Sequence, residues 1–348
     1  MRTGGTTGVL LLNLGSPARP TAFALMPYLR EFLMDPAVID LPYWRRFLLV
    51  HGLILPFRSF RSARAYRRIW TKEGSPLIAI TFRVRRELEK KLGMPVAVGM
   101  RYGHPRTREA LEQLRDAGVE KIAVLPQYPQ FASASYETAV QHLFRNAGMF
   151  SREDMRVLPP FFEEPRYLDC LANSLRDVLA PEDALLLSFH GVPERHLRKA
   201  DPTGAYCLSS RECCRRVPQE VLARCYRAQC YRTAEEVARR LGREIADDPA
   251  EGKVSLGFQS RLGNDRWTRP YTDELLLKAG EMDIANLKVA CPSFTADCLE
   301  TLEEIGMEGR RIFEEAGGGR FALIPSLNDR PEWVELLAAY ARELLEWG

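Results

Sequence analysis

The chain has 348 residues, of which 46% are hydrophobic and 27% are charged, and its formal net charge is +3. These values are typical of a soluble globular protein that is long enough for two domains. The charge is too small to favour a nucleic-acid-binding protein, and no stripe of Lys and Arg with interleaved aromatic residues occurs. The first residues, MRTGGTTG, lack the parts of a secretory signal, so we expect a cytoplasmic protein.

The amino-terminal half alternates short apolar segments with longer amphipathic ones. VLLLNL, VAVGM, IAVLPQY and MRVLPPF are predicted strands, which begin at Val9, Val96, Ile122 and Met155. Continuous apolar strands that alternate with helices indicate a parallel sheet that is covered on both faces. We therefore predict an α/β domain over residues 1–160.

An apolar and basic segment, residues 27–70, interrupts this half, and we call it the lip. Its apolar run, FLLVHGLILPF, is too short to span a bilayer. No acidic residue occurs between Asp40 and Glu73. Two interpretations remain open: a peripheral contact with the anionic inner face of the cell membrane, or a buried helix with a solvated basic face. The flanking arginines and the interspersed aromatic residues are Arg45, Arg46, Arg58, Arg61, Arg64, Arg67, Arg68, Trp44, Phe47, Phe57 and Phe60.

The carboxy-terminal half repeats the alternation of strands and helices. ALLLSFHG, KVSLGFQS, LKVACPSF and FALIPSL are predicted strands, which begin at Ala184, Lys253, Leu287 and Phe321. The two halves predict an α/β protein with two flavodoxin-like, Rossmann-type domains, residues 1–160 and 161–348, around a central cleft. The final helix is a candidate to pack back on the first domain. No GxGxxG follows a strand and no GxxxxGK[ST] occurs, so nucleotide binding lacks its usual signatures.

Polar residues follow several of these strands, at the sheet edge where ligands of open parallel sheets bind. His190 ends one predicted strand. After the strand that ends near Cys291, a helix predicted from about Thr295 would place Asp297, Glu300 and Glu304 on one face. Taken alone, the histidine is more typical of a structural residue and the carboxylates of a solvated helix face.

A set of motifs is far more specific than these single residues. LLLNLGSP, EGSPL, MRYGHP, PQYPQF, SFHGVPERH, FQSRLGNDRWTRPYTDE, CPSFTADCLETLEEI and ALIPSLND occur in this order along nearly the whole chain. They closely resemble the ferrochelatase family, lyases that insert Fe²⁺ into a porphyrin to form haem. The resemblance implies a porphyrin cleft, with His190 and Glu300 as the essential histidine and glutamate and with Asp297 and Glu304 as an acidic relay.

The chemistry of metal insertion suits these residue types. An imidazole has an ordinary pKa of about 6.5, so His190 could accept a pyrrole proton while the carboxylates relay protons or guide iron. The opposite assignment also stays open, with His190 and Glu300 as ligands of the substrate Fe²⁺. The residues predicted to bind the porphyrin are Leu14, Arg101, Tyr102, Tyr128, Phe131, Ser260, Arg261 and Trp267.

Five of the eight cysteines lie within residues 200–230, an insertion relative to shorter ferrochelatases. In a reducing compartment, clustered cysteines favour a metal site over disulfides. The segment resembles that of bacterial ferrochelatases with a [2Fe-2S] cluster, which takes four thiolates. We predict Cys207, Cys214, Cys225 and Cys230 as ligands, with Cys213 as the alternate. A Cys₄ zinc site and unligated thiols are the alternatives.

The expected substrate pair is protoporphyrin IX and Fe²⁺, because Leu14 stands near the cleft where a tyrosine would favour coproporphyrin III. A coproporphyrin III ferrochelatase, or a chelatase for another tetrapyrrole and metal such as cobalt, is the nearest alternative. A non-catalytic haem-binding or iron-sulfur sensor protein on the same fold is the alternative from another class. Both a monomer and a homodimer fit the sequence.

Overall fold

The computed structural model describes residues 6–148, 150–210, 212–261, 263 and 265–346. Residues 1–5, 149, 211, 262, 264 and 347–348 lie outside the described residues. They belong to the predicted domains, and residue 211 belongs to the predicted insertion. The chain divides into two compact units. The first comprises Met1–Tyr128, Ser133–Pro159 and Asn328–Gly348, and the second comprises Pro129–Ala132 and Pro160–Leu327.

The first unit contains a sheet of four parallel strands in the order β2-β1-β3-β4. Leu11 of the central strand pairs in register with Val98 on one side and with Leu125 on the other. Because both faces of the sheet are covered, residues 9–12 are wholly buried, as their continuous apolar run predicts. The strands are β1 (Thr7–Asn13), β2 (Val96–Met100), β3 (Lys121–Pro126) and β4 (Met155–Val157).

Helices connect these strands and bury apolar side chains against the sheet. Leu111 and Leu114 of one helix pack on Leu10 and Leu12 of β1 in a single core cluster. The helices are α1 (Ala22–Leu33), α2 (Tyr43–Leu48), α3 (Leu55–Ile69), α4 (Pro76–Leu92), α5 (Thr107–Asp116) and α6 (Thr138–Arg145), with π-helices at Leu49–Ile54 and Ser133–Glu137.

The second unit contains another sheet of four parallel strands, in the order β6-β5-β7-β8. Its strands are β5 (Ala184–His190), β6 (Val254–Gln259), β7 (Asn286–Ala290) and β8 (Arg320–Leu323). Its helices are α7 (Pro165–Arg176), α8 (Glu194–Ala200), α9 (Gln219–Leu222), α10 (Tyr226–Leu241), α11 (Thr272–Glu281) and α12 (Arg310–Glu315), with a π-helix at Glu300–Gly309.

The last helix, α13 (Pro331–Glu346), belongs to the first unit, although it follows the second in the chain. It packs against β3 and α4, and its Trp333 is wholly buried. Within this unit, Asp329 just before the helix accepts a hydrogen bond of 2.9 Å from Arg83 Nε of α4.

The predicted α/β class, with two parallel sheets that carry helices on both faces, is confirmed. Each of the eight predicted apolar segments overlaps one strand, but several strands end sooner than the apolar run does. The segment predicted from Met155 to Phe161 forms only the three-residue β4, because Pro159 and Pro160 follow it and cannot donate to a strand ladder. Among the described residues, no helix is both long and apolar enough to cross a membrane.

Candidate active site

The carboxyl ends of β5, β6 and β7 meet at one edge of the second sheet. His190, the last residue of β5, pairs in register with Gln259, the last residue of β6. On the other side of β5, β7 ends at Ala290, which pairs with Leu187. This topology brings the segments that follow β6 and β7 to the two sides of His190.

The imidazole of His190 has a defined hydrogen-bonding partner. Its Nδ1 lies 2.6 Å from the carbonyl oxygen of Gly191. Because a carbonyl oxygen can only accept, Nδ1 carries the proton in this contact, and Nε2 keeps a lone pair. The half-buried ring also lies edge-on to Phe294, with ring centroids 6.1 Å apart. The arrangement leaves His190 with one nitrogen that can accept a proton or bind a metal ion.

The acidic residues lie on and before a π-helix, Glu300–Gly309. A π-helix has i→i+5 hydrogen bonds and more residues per turn than an α-helix, so positions i and i+4 stack more closely. Glu300 and Glu304 therefore share a face. The prediction that this helix begins at about Thr295 is wrong, because Asp297 precedes it. Its Oδ1 accepts hydrogen bonds from Thr301 Oγ1 (2.9 Å) and from the Ser326 amide (3.3 Å).

Ser260 holds the carboxylate of Glu304 with two hydrogen bonds. Its amide donates to Oε1 over 2.7 Å and its hydroxyl donates to Oε2 over 2.5 Å. The φ angle of Ser260 is +67°, in the left-handed region that non-glycine residues seldom adopt. Burial raises the pKa of Glu304 above its ordinary value; hydrogen bonds from Ser260 and the charge of His190 oppose this, and the charge of Glu300 adds to it. Glu304 can consequently hold a proton closer to neutral pH than an exposed glutamate.

Gln259 connects the strand ends to the start of the π-helix, and sequence reasoning missed its role. Its Nε2 donates to the backbone carbonyl of Glu300 over 2.8 Å. Its Oε1 accepts from the hydroxyl of Ser188 on β5 over 2.7 Å. Gln259 is buried, so the nitrogen and the oxygen of its side-chain amide both need these partners. The strand-end position was visible in the sequence, but the partners were not.

The other predicted site residues of this unit make contacts with residues other than the histidine. Trp267 pairs with Pro193 through an isolated bridge, and its ring edge would lie 3.4 Å from a Cβ on Gly191. Arg261 is exposed and pairs with Asp273, and its guanidinium lies 4.2 Å from the ring centroid of Tyr271. The backbone amide of Phe131 donates to Gln229 Oε1 of α10 over 2.6 Å.

In the first unit, Arg101 and Tyr102 belong to a buried polar cluster around Asp35. The Arg101 guanidinium pairs with Asp35, and the hydroxyls of Tyr102 and Thr138 donate to the same carboxylate over 2.9 and 2.6 Å. Hydrogen bonds from Thr138 and the Ala37 amide, with the charge of Arg101, lower the pKa of Asp35 despite its burial. Tyr102 is wholly buried, and its hydroxyl is used in the hydrogen bond to Asp35.

Two further candidates lie in the first unit. Leu14 is half-buried at the rim of the core, and its carbonyl accepts from the Tyr102 amide over 2.9 Å. The hydroxyl of Tyr128 is buried and has no hydrogen-bond partner among the described residues. A buried hydroxyl without a partner is costly, which makes Tyr128 a position where a polar group of a ligand would be favourable.

Four cysteines of the predicted insertion contact one another in pairs, and we call Cys207, Cys213, Cys214 and Cys225 the cysteine group. All four are buried. Hydrogen bonds from the thiols of Cys207 and Cys214 lower the pKa of Cys225 to about 3. A hydrogen bond from Cys214, whose Sγ lies 3.9 Å away, lowers the pKa of Cys213 to about 6. The same contacts raise the pKa of Cys207 and of Cys214.

Charged and polar neighbours surround the cysteine group. The carboxylate of Asp201 accepts from the amide of Cys207 over 2.7 Å, which orients that residue. The Nη1 of Arg227 donates to Cys214 Sγ over 3.2 Å. A guanidinium beside a sulfur favours the thiolate form, so the charge of Arg227 opposes the rise in the pKa of Cys214. In the part of the chain that the structure describes, however, no three His, Cys, Asp or Glu side chains are arranged to hold a metal ion.

Cys230 lies apart from these contacts. It is wholly buried in α10, where it hydrogen-bonds with Tyr226, and burial raises its pKa. Cys225 is the N-cap residue before α10, whereas Cys230 lies within the helix. Cys170 is half-buried, and Cys291 and Cys298 are buried.

Two solved structures are similar to this fold. SirB from Bacillus subtilis with Fe³⁺ superposes with a TM-score of 0.54 at 11% identity, covering 98% of this chain and 96% of that one. DR2241 from Deinococcus radiodurans, a multi-domain protein with structural similarity to chelatases, gives 0.50 at 14%, covering 98% and 55%. At these identities the likeness concerns the α/β fold alone.

Sequence comparison is more specific. The family model described as ferrochelatase matches residues 6–345. A ferrochelatase of Azotobacter vinelandii is 49% identical over 339 residues, covering 96% of this chain and 98% of that protein. One of Pseudomonas syringae pv. syringae is 47% identical over 332 residues, covering 94% and 95%. The chain belongs to the ferrochelatase family, which makes it an enzyme of the lyase class in haem synthesis.

Proposed function

We propose that this enzyme inserts Fe²⁺ into protoporphyrin IX, with His190 as the base that accepts a pyrrole proton. The observation that carries the proposal is the 2.6 Å contact between His190 Nδ1 and the Gly191 carbonyl, which leaves the Nε2 lone pair available. A positioned base must present such a lone pair to the proton that it abstracts. The neighbouring carboxylates make the site acidic on the side of the π-helix.

Glu300 and Glu304 supply the other half of the reaction. Carboxylates and imidazole both suit ferrous iron, so these residues could guide the metal toward the ring. The raised pKa of Glu304 also allows it to take up and release protons as iron arrives. Asp297, which is held by Thr301 and Ser326, is proposed to extend this acidic line.

The macrocycle requires an apolar surface and must distort so that its nitrogen lone pairs point at the metal. Binding of the rest of the ring can supply such distortion, at a cost of roughly 1–5 kcal/mol. Trp267 beside Gly191 is the proposed ring contact nearest to the histidine. Leu14, Tyr128, Phe131 and Arg261 are proposed as further contacts, and Leu14 is the reason for preferring protoporphyrin IX over coproporphyrin III.

The test is anaerobic turnover with Fe²⁺ and each of the two porphyrins. His190→Ala should lower kcat about 10²- to 10⁴-fold, the usual contribution of a general base, while protoporphyrin still binds. Porphyrin affinity is measured by fluorescence quenching as the control for folding. Substantial insertion by the His190→Ala enzyme would contradict the proposal, faster turnover of coproporphyrin III would assign the other substrate, and no turnover at all would favour a haem-binding or sensor protein.

We further propose that the cysteine group holds a [2Fe-2S] cluster. Four buried, mutually hydrogen-bonded thiols, two of them with a lowered pKa, are the donor type that such a cluster takes. Cys213 replaces Cys230 in this proposal, because Cys230 is directed to Tyr226. When bound, the cluster supplies one-electron redox chemistry, which iron insertion does not need. The chain itself would contribute the segment from Asp201 to Cys225, which carries the four thiols and is held by the hydrogen bonds of Asp201 and Arg227.

We also propose that the lip seats the protein on the inner face of the cell membrane. Eight of the fourteen exposed large hydrophobic side chains in the described residues lie between Leu41 and Phe60, among them Trp44 and Phe57. Arg61, Arg64, Arg67 and Arg68 are exposed along α3. Apolar side chains beside exposed arginines suit the interface of an anionic membrane. Arg46 is not part of this surface, since it is buried and donates to the carbonyls of Ile39 and Leu41.

A further inference from the structure

The residue after Cys225 reaches the backbone of His190. Tyr226, the first residue of α10, is buried, and its hydroxyl lies 2.8 Å from Ser293 Oγ. The amide of His190 donates to the same Ser293 Oγ over 3.3 Å. Tyr226 and the catalytic candidate are therefore joined through one serine hydroxyl.

Ser293 takes the place of a missing strand partner. The ladder between β5 and β7 ends at the pair Leu187 and Ala290, three residues before His190. The amide of His190 thus has no carbonyl of β7 to donate to, and the serine side chain provides the acceptor. A hydrogen bond to a side chain constrains a strand less than a backbone ladder does, because the side chain can rotate. The orientation of the Ser293 hydroxyl therefore depends on its second hydrogen bond, which is the one to Tyr226.

The second residue after Cys225 reaches the other flank of the same turn. Arg227 donates from Nη1 to Cys214 Sγ and from Nε to the carbonyl of Arg269, each over 3.2 Å. The neighbouring Thr268 exchanges two hydrogen bonds with Val192, from its amide to the Val192 carbonyl (2.9 Å) and from the Val192 amide to its hydroxyl (3.0 Å). Val192 lies two residues after His190. The first turn of α10 is thus linked to both sides of the segment that carries the imidazole. One link runs through Ser293, and the other runs through Arg269 and Thr268.

We propose that Tyr226 and Ser293 are positioning residues for His190, and that through them the chemical state of the cysteine group sets how well the histidine is held. The inference rests on the proposed role of His190 in metal insertion. Cys225 is the N-cap of α10, directly before Tyr226 and Arg227, so a shift of its backbone also shifts theirs. A displacement of that turn is passed to Ser293 and to the Thr268–Val192 pair. The imidazole then loses its fixed contact with Gly191.

Tyr226→Phe tests the first link, since it removes the hydroxyl and keeps the ring. In the full-length reduced protein, ¹⁵N NMR should show the His190 Nδ1–H tautomer, with its signal identified by its absence from His190→Ala. In Tyr226→Phe the two tautomers should mix, and kcat should fall about tenfold at an unchanged KM for porphyrin, as expected for a misplaced catalytic group. Tyr136→Phe, which loses a partly buried hydroxyl bond to the Leu158 carbonyl (3.0 Å), is the matched control and should change neither.

Ser293→Ala removes the same link from the other side, so it provides an independent test should Tyr226→Phe fold poorly. A fixed tautomer together with kcat within twofold of the parent, in either variant, would overturn the positioning role. In that outcome His190→Ala would still abolish insertion, so the proposed function would stand. If His190→Ala remained active, the proposed function itself would fail, whatever the tautomer.

A double-mutant cycle tests the link to the cysteines. Cys225→Ser should disturb the His190 tautomer and lower kcat in the parent, and it should have little further effect in Tyr226→Phe. Cys170→Ser, a change at a half-buried cysteine of α7 outside the cysteine group, serves as the control. Additive effects of Cys225→Ser and Tyr226→Phe would show that the cysteine group does not act through Tyr226.

Discussion

Glu304 shows how one backbone conformation prepares a carboxylate. Ser260 presents both its amide and its hydroxyl to Glu304 because its φ angle is +67°. Such a conformation costs of the order of 1–3 kcal/mol in a non-glycine residue and tends to occur where function requires it. A glycine would adopt it more easily but would lack the hydroxyl, so serine at this position sacrifices some stability for a second hydrogen bond.

Replacing Glu304 should change the pH dependence of stability. Because burial raises its pKa in the folded state, folding takes up a proton, and this carboxylate destabilises the protein as pH rises from about 4.5 to the raised value. Glu304→Gln should therefore increase Tm relative to the parent at pH 7, and the gain should disappear below pH of about 4. Glu314→Gln, at an exposed position of α12, is the control.

The measurement is thermal unfolding of the metal-free protein across this pH range. A loss of stability on Glu304→Gln that is equal at pH 4 and pH 7 would show that the hydrogen bonds from Ser260, and not the charge, dominate at this position. Insertion activity of the same variant reports separately on its proposed role with iron.

At this scale the sequence was most informative where a motif was present. SFHG singled out His190 at the end of a strand, and the structure has it at the end of β5. Ser260 was one of several porphyrin candidates, but its hold on Glu304 depends on a dihedral angle that no residue type specifies. The Asp35 partner of Arg101 lies 66 residues away in the sequence, so only the fold could reveal it.

At the scale of elements, the strands were predictable and the π-helix was not. Apolar runs of four to seven residues suffice to identify buried strands, whereas α- and π-helices differ by less than one residue per turn. The expected α-helix from about Thr295 therefore put Asp297 in the wrong place. Glu300–Gly309 is wider than an α-helix, and Gly306 leaves room for Leu323, which would lie 3.1 Å from a Cβ at that position.

The geometry of α10 makes a distinct prediction about the cysteines. Cys213→Ser should abolish the visible absorption of the protein purified under anaerobic conditions, together with its bound iron and sulfide, because it removes one proposed thiolate. Cys230→Ser is the matched control and should retain all three, since Cys230 is directed to Tyr226. The reverse pattern would assign Cys230 as a ligand, and a colourless parent that contains zinc would favour a Cys₄ zinc site.

At the scale of the whole molecule, the lip should give the protein an affinity for anionic lipid. Sedimentation with phosphatidylserine-containing vesicles should exceed that with phosphatidylcholine vesicles, and salt should weaken it. The double variant Trp44→Ser, Phe57→Ser should bind at least about tenfold more weakly, since each side chain contributes roughly 1.5–3 kcal/mol when buried. Leu277→Ser, another exposed apolar residue, is the control. Equal binding to both vesicle types would contradict the membrane role.

The whole-molecule scale is also where sequence reasoning had least to work with. The alternation of strands and helices predicted two parallel sheets, and both are present. Their strands follow one another in the order that is expected for flavodoxin-like domains. The assignment of α13 depends on which surface its apolar face covers. Trp333, Leu337 and Tyr340 form an apolar helix face that could pack on either sheet. That α13 packs on β3 and α4 therefore follows from the shapes of the surfaces in three dimensions, which the sequence pattern does not give.

The return of α13 to the first unit has a consequence for how the chain is made. A ribosome delivers residues 160–327 in full before it reaches Pro331, so the later unit can finish folding while the earlier one still lacks its last helix. Until then, the surfaces of β3 and α4 that α13 later covers face water. The portion synthesised first is thus completed last, and it is during this interval that a nascent chain would most need protection from aggregation.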